Sequence, residues 1–317
     1  MRTLPFLLLA AAVAQAAPRI DNVLLRMVPP GTTGLVGAHM DQLEASDLFQ
    51  KLTAQQKLPQ LDQFARETGF DPRRDVREIL LVSGPTGTVL LARGKFNLKQ
   101  YPVPGMKVIR HGQYNIRADS SGAPSSAASG FCVLDSTLAA AGEVPAIEAA
   151  LNEWQHGTHK AAQTLLTTVS TVSDQTALWG VSTGFASFLA NNLPRAGNGI
   201  DFSSIFRGIE SSSFNASVAS GSFGFQAAIH CTTATEKDAV SLRDAAKGLI
   251  GLGRLNVPEN RPDLLRFWDG ITVEQTGRSF TINADIAGDL LDQMVQLFSA
   301  PGRGRGRGPR GASGRIQ

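Results

Sequence analysis

The chain has 317 residues, 42% of them hydrophobic and 18% charged, with two cysteines and a formal charge of +3. Its length and apolar share suffice for one or two packed domains, and two cysteines exclude a disulfide-built scaffold or a zinc site held by cysteine alone. Taking Arg2 and the five arginines after Ala300 from the total leaves residues 17–300 at −3, so the basic pI belongs to the tail and does not mark the body as a nucleic-acid binder.

Residues 1–16 read as a signal peptide: Arg2, the apolar run Leu4 to Val13, and the small-x-small site Ala14-Gln15-Ala16. The apolar run is shorter than the ~20 residues a bilayer requires, and no cysteine follows it to anchor a lipid. The expectation is an exported chain, periplasmic or extracellular, with no transmembrane helix in its mature form.

Next, Asp21 to Met27 suggests a short helix ended by Pro29-Pro30-Gly31, and Gly34 to Met40 a buried strand. Asp41 caps a helix over Gln42 to Leu52, and a second helix spans about 59–68. Val76 to Val82 and Thr88 to Ala92 are β-branched runs around Gly84-Pro85-Thr86-Gly87, the pattern of a hairpin. Strands follow at Lys107–Arg110, Tyr114–Ala118, Phe131–Leu134 and Thr137–Ala141, with a polar loop from Ser120 to Gly130 and an amphipathic helix at Pro145–Trp154.

The same order then returns. A helix at Ala161–Val172, a strand around TALWGVST, a helix from Gly184, and a hairpin at Ile209–Val218 and Phe223–Cys231 repeat the opening elements. A helix at Glu236–Leu252, a hairpin about Gly277 and a closing helix at Leu290–Phe298 complete the set. The reading is α+β: two similar units, 21–156 and 160–299, of mainly antiparallel sheet with helices packed on one face. The tail, 301–317, is low in complexity and unable to build a core.

Gly180-Val181-Ser182-Thr183-Gly184 matches the G-x-S-x-G nucleophile elbow, with Asp201 and His230 downstream in the order a hydrolase uses. Three observations oppose catalysis. The surrounding strands form hairpins and not a parallel sheet, no glycine-rich oxyanion loop precedes the serine, and the repeat matches the segment to Gly37-Ala38-His39-Met40-Asp41, where the serine is replaced. A serine hydrolase using Ser182 is therefore the alternative, and no catalytic residue is assigned.

His156-x-x-His159 lies in the linker between units and reads as a solvated connection, so no metal is assigned; no dinucleotide or Walker motif implies a cofactor. Arg73, Arg74 and Arg77 with Asp71, Asp75 and Glu78 form a mixed-sign cluster, expected to neutralise itself locally. Cys132 and Cys231 form a possible disulfide in an exported chain, weighed against two buried thiols in apolar strands. Arg303, Arg305, Arg307 and Arg310 alternate with glycine and offer a loose contact for a polyanion or an anionic envelope surface.

The segment VPPGTTGLVGAHMDQLEASDLFQKL and its counterpart around TALWGVST resemble an uncharacterised group of exported bacterial proteins with a proline-turn, strand and short-helix opening and a duplicated α+β body. The resemblance implies no activity and no site residues. The expected function is a non-enzymatic binding or interaction protein of the cell envelope; a carrier of an apolar ligand is a further alternative.

Overall fold

A computed structural model describes residues 21–46, 49–50, 62–63, 65–66, 70–96, 106–119, 128–157, 163–169, 176–183, 208–218 and 224–290. The predicted signal peptide, the helix from Gly184, most of the closing helix and the tail lie outside them, and of the helix at about 59–68 only residues 62–63 and 65–66, which are helical, lie within.

The elements run α1 (Asn22–Leu25), β1 (Gly34–His39), α2 (Met40–Glu44), α3 (Pro72–Asp75), β2 (Val76–Gly84), β3 (Gly87–Gly94), β4 (Met106–His111), β5 (Tyr114–Asp119), β6 (Ser129–Asp135) and β7 (Leu138–Glu143). They continue with α4 (Val144–His156), α5 (Gln163–Val169), β8 (Leu178–Thr183), β9 (Ile209–Val218), β10 (Gly224–Thr233), α6 (Glu236–Leu255), α7 (Pro262–Asp269), β11 (Ile271–Thr276) and β12 (Ser279–Ala287). The twelve strands among the described residues belong to one sheet, ordered β11-β12-β10-β9-β8-β1-β2-β3-β7-β6-β5-β4, and each pairing between them is antiparallel.

The predicted hairpin at Gly84–Gly87 forms as β2–β3, and Gly87 turns it with a φ of 106°, a left-handed value that glycine adopts without a Cβ clash. Helix α7, absent from the expected elements, opens on Pro262, and Pro at the first helical position is its local signal.

Strands β1–β7 and β8–β12 do not form separate sheets. They join where β1 pairs with β8, Gly37 standing opposite Trp179 and Val36 opposite Gly180. Residues directly opposite in an antiparallel pair share a face, and neighbours along a strand point to opposite faces. Gly37 and Gly180 therefore face opposite sides of the sheet. The repeat reading that sets these two glycines against each other thus matches residues of opposite faces.

The first half buries its core on the face of Leu35, Leu80, Leu91, Ala140 and Trp179, where Ile147 and Leu151 of α4, Leu24 of α1 and Leu165 of α5 join one cluster. In the second half Leu242 of α6 packs with Cys231 and Phe280. Cys231 pairs with Ser212, and Ser212 with Ser182, on the face opposite Val181 and Leu35. Helices thus cover both faces of the sheet, not the one face expected. The alternation explains this: Ser211, Ser213, Asn215 and Ser217 leave β9 polar on the side where the first half is apolar.

A Cβ on Gly37 would overlap the Trp179 indole, and Trp179 is 1% exposed. Gly37→Val is therefore expected to lower stability by about 1–3 kcal/mol through overpacking. Urea denaturation followed by tryptophan fluorescence measures this; unchanged stability would show that the β1–β8 seam tolerates the side chain.

Candidate functional site

Ser182 lies near the end of β8 and donates a hydrogen bond to the Thr33 carbonyl at 3.1 Å. His230 lies on β10, where Nδ1 meets Thr281 Oγ1 at 3.0 Å. His230 pairs with Ser213, which pairs with Val181, so it shares the face of Val181 and not that of Ser182. Serine and histidine are held on opposite sides of a hydrogen-bonded sheet, and the triad is not assembled; Asp201 lies outside the described residues.

Cys132 and Cys231 are free buried thiols. Cys132 shares the Leu91 face of the first half and Cys231 lies on the other face, on strands β6 and β10 that stand seven strand-to-strand steps apart. At about 4.8 Å per step, this is far beyond the reach of a disulfide. Burial pushes the Cys132 thiol up to about 11 and the Cys231 thiol up to about 12, so both stay protonated and unreactive at neutral pH.

His156 ends α4, and its partner His159 lies outside the described residues. Among the described residues no group of three or more His, Cys, Asp or Glu is arranged to hold a metal ion. Arg303, Arg305, Arg307 and Arg310 also lie outside them.

The mixed-sign cluster divides. Arg73 pairs with Asp71 at 2.9 Å and Asp62 at 2.8 Å, and Arg74 with Asp75 at 3.1 Å. These hydrogen-bonded guanidinium partners hold Asp71 and Asp75 below the usual carboxylate range. Arg77 and Glu78 behave differently: both line a cleft of about 370 Å³ with Asp21, His39, Asp41, Gln42, Arg93 and Thr137.

The chain builds this cleft from five separated segments. Glu78 stands directly opposite His39 across the β1–β2 ladder. Arg93 stands opposite Glu78 across β2–β3, and its Nε donates to Asp21 Oδ2 at 2.8 Å while Nη1 donates to Thr137 Oγ1 at 2.7 Å. Asp21 caps α1 through Oδ1, and its own backbone N–H donates to Glu78 Oε1 at 2.9 Å. Burial, with the negative charges of Asp21 and Asp41 adding to it, pushes Glu78 up to about 7 against the opposing Asp21 hydrogen bond and Arg93 charge.

On the other face of the same strands lies a second cavity, about 410 Å³, lined entirely by apolar residues that include Phe70, Ile79, Leu90, Phe96, Phe131 and Ala141. The register shift between Val76 and Glu78 separates the two cavities. One extra residue, Arg77, turns Val76 to the face of Ile79 and Ala92 while Glu78 keeps the face of Leu80. No local motif announces either cavity. The available signal was Glu78 itself, a charged residue at a core-face position of an apolar strand.

No family model and no protein of curated function matches this sequence. Among solved structures, crystal form I of TP0453 is similar at 8% identity and a TM-score of 0.45, over 90% of this chain and 98% of that one. No helix among the described residues is long and apolar enough to cross a membrane.

Two outcomes follow from this geometry. A fluorophosphonate probe should leave the protein unlabelled, and labelling that Ser182→Ala abolishes would restore the hydrolase reading. Folded Glu78 keeps its proton up to about pH 7, whereas its ordinary value is 4.5. The native state therefore binds more protons in that window, and stability should fall as pH rises from 4.5 to 7 and stay lower above it. Glu78→Gln should remove this slope and raise stability at pH 8 by about 1–2 kcal/mol, a figure already reduced for solvent screening; denaturant titrations at pH 5 and 8 measure it.

Proposed function

We propose that this chain is an exported, non-enzymatic binding protein of the cell envelope that carries an apolar ligand. The observation behind this reading is the 410 Å³ cavity whose lining is apolar throughout. Its floor consists of β2, β3, β7 and β6, whose backbone groups bond to neighbouring strands. A guest there meets side-chain carbons and needs no hydrogen bond. Such a site holds a hydrocarbon chain or ring by excluding water from both surfaces, at roughly 25 cal/mol per Å² removed, and its size lies within the range of small-molecule pockets. Phe70 and Phe96, with ring centroids 5.4 Å apart, form one wall and favour a ligand that presents CH groups to aromatic faces.

The body is read as two copies of one unit. The strand order β1-β2-β3-β7-β6 has the same connections as β8-β9-β10-β12-β11, with β4–β5 additional in the first copy. On this reading the second copy lost the pocket when α6 came to cover the equivalent face, where Leu242 packs on Cys231 and Phe280. The signal at residues 1–16 supports export, and the tail arginines supply the contact with an anionic envelope surface.

Native mass spectrometry of the protein purified from its own membranes should reveal a retained lipid-sized adduct, and cis-parinaric acid should bind saturably. Ala141→Phe fills the cavity and should weaken probe binding at least tenfold while the far-ultraviolet circular dichroism stays unchanged. An absent adduct together with non-saturable probe binding, or equal affinity in the variant, would overturn the carrier reading.

A further inference from the structure

The polar cleft lies on the opposite face from the apolar cavity and has no part in the carrier reading. Most of its charges are already used. Asp21 is committed to Arg93 and to the α1 cap, and Arg93 is shared between Asp21 and Thr137. Two charged ends are not, and a third is used only in part. Arg77 makes no ion pair or hydrogen bond among the described residues, and it is exposed at the rim. The Asp41 carboxylate, in the first turn of α2, likewise has no side-chain partner among them. Glu78 also lines the cleft, and its one side-chain hydrogen bond among the described residues is at Oε1, from the Asp21 N–H.

A cleft of about 370 Å³ therefore presents the Arg77 guanidinium, the Asp41 carboxylate and the partly used Glu78 carboxyl on a frame held by Asp21–Arg93–Thr137. The charges are sorted. Asp41 lies two residues beyond His39, the direct cross-strand partner of Glu78, and both acids line the cleft, while Arg77 stands at the exposed bulge. A guanidinium recognises a planar carboxylate through two parallel N–H donors. Two adjacent carboxylates recognise an ammonium group, whose three donors they can share.

We propose that this cleft binds a small zwitterion of the amino-acid type, its carboxylate on Arg77 and its ammonium group between Asp41 and Glu78. An anion alone would meet Asp41 and Glu78, and a cation alone would leave Arg77 unmatched, so the site selects ligands that carry both charges. The groups facing Glu78 are Asp21 from α1, His39 from β1, Asp41 from α2 and Arg93 from β3, with Arg77 at the bulge. Because Glu78 must be ionised to hold the ammonium group, binding strengthens as pH rises through 7.

Isothermal titration of the full mature chain with 4-aminobutyrate and 6-aminohexanoate tests this, with butyrate and butylamine as singly charged controls and phosphoethanolamine as the phosphate counterpart. At least one zwitterionic carboxylate should bind at least tenfold tighter than both controls. Arg77→Gln should reduce it to the butylamine level, and Glu78→Gln should weaken it and remove its rise between pH 6 and 8. Arg77 is exposed on a bulge, so its substitution leaves the fold intact, which circular dichroism verifies. Absence of saturable binding by either zwitterion, equal binding of zwitterions and controls, an Arg77→Gln variant that binds like the wild type, or a preference for phosphoethanolamine would each overturn the proposal.

Discussion

The contact on which the molecule depends is the short antiparallel ladder between Gly34–His39 and Leu178–Thr183. It turns two runs of hairpins into one twelve-stranded sheet. Its centre depends on one missing side chain: Gly37 has no Cβ, and the Trp179 indole occupies that space. Trp179 is among the largest fully buried side chains, and its Nε1 has no hydrogen-bond partner among the described residues. An orphaned indole N–H costs about 1–3 kcal/mol. Here the indole stays in place because removing it from water contributes more, in the range of ~2–3 kcal/mol or above for a ring of this size.

From that seam the sheet sorts its residues by alternation. Strand β1 places Leu35 and Gly37 on the first-half core and ends at His39, where the core face turns polar. Strand β2 does the same from the other direction, with Val82 and Leu80 in the core and Glu78 at its limit. The bulge at Arg77 then reverses the pattern and sends Val76 to the apolar cavity on the far side. A single inserted residue thus sets a charged cleft and a hydrocarbon-like cavity back to back across three strands. Were the strand to run through Arg77 in regular alternation, with no bulge, Val76 would face the carboxylates and Arg77 the phenylalanines, and both sites would lose their character.

The hairpins were legible because their signals are local. Gly87 and Gly277 take positive φ between β-branched runs, and each turn specifies its own pairing. The Arg73–Asp75 charges were legible for the same reason, since their partners lie within a few residues or one helix away. The cleft was not. Asp21, His39, Glu78, Arg93 and Thr137 span more than a hundred positions, and each alone is an ordinary capping, strand or turn residue. The G-x-S-x-G segment shows the converse, a local pattern whose meaning depended on a distant strand: β9 between β8 and β10 places His230 on the wrong face for Ser182.

From its order of residues alone, the chain determined its strands and turns, the antiparallel character of its sheet and the separation of a basic tail from a mildly acidic body. These properties rest on period-two patterning and on the backbone freedom of glycine and proline, which act over a few residues. The tertiary structure alone decided that β1 meets β8, that helices cover both faces, that the two cysteines stand apart and that five distant polar residues converge. Each of these outcomes depends on register and strand order. A shift of one residue exchanges the faces of a strand while leaving its local pattern unchanged.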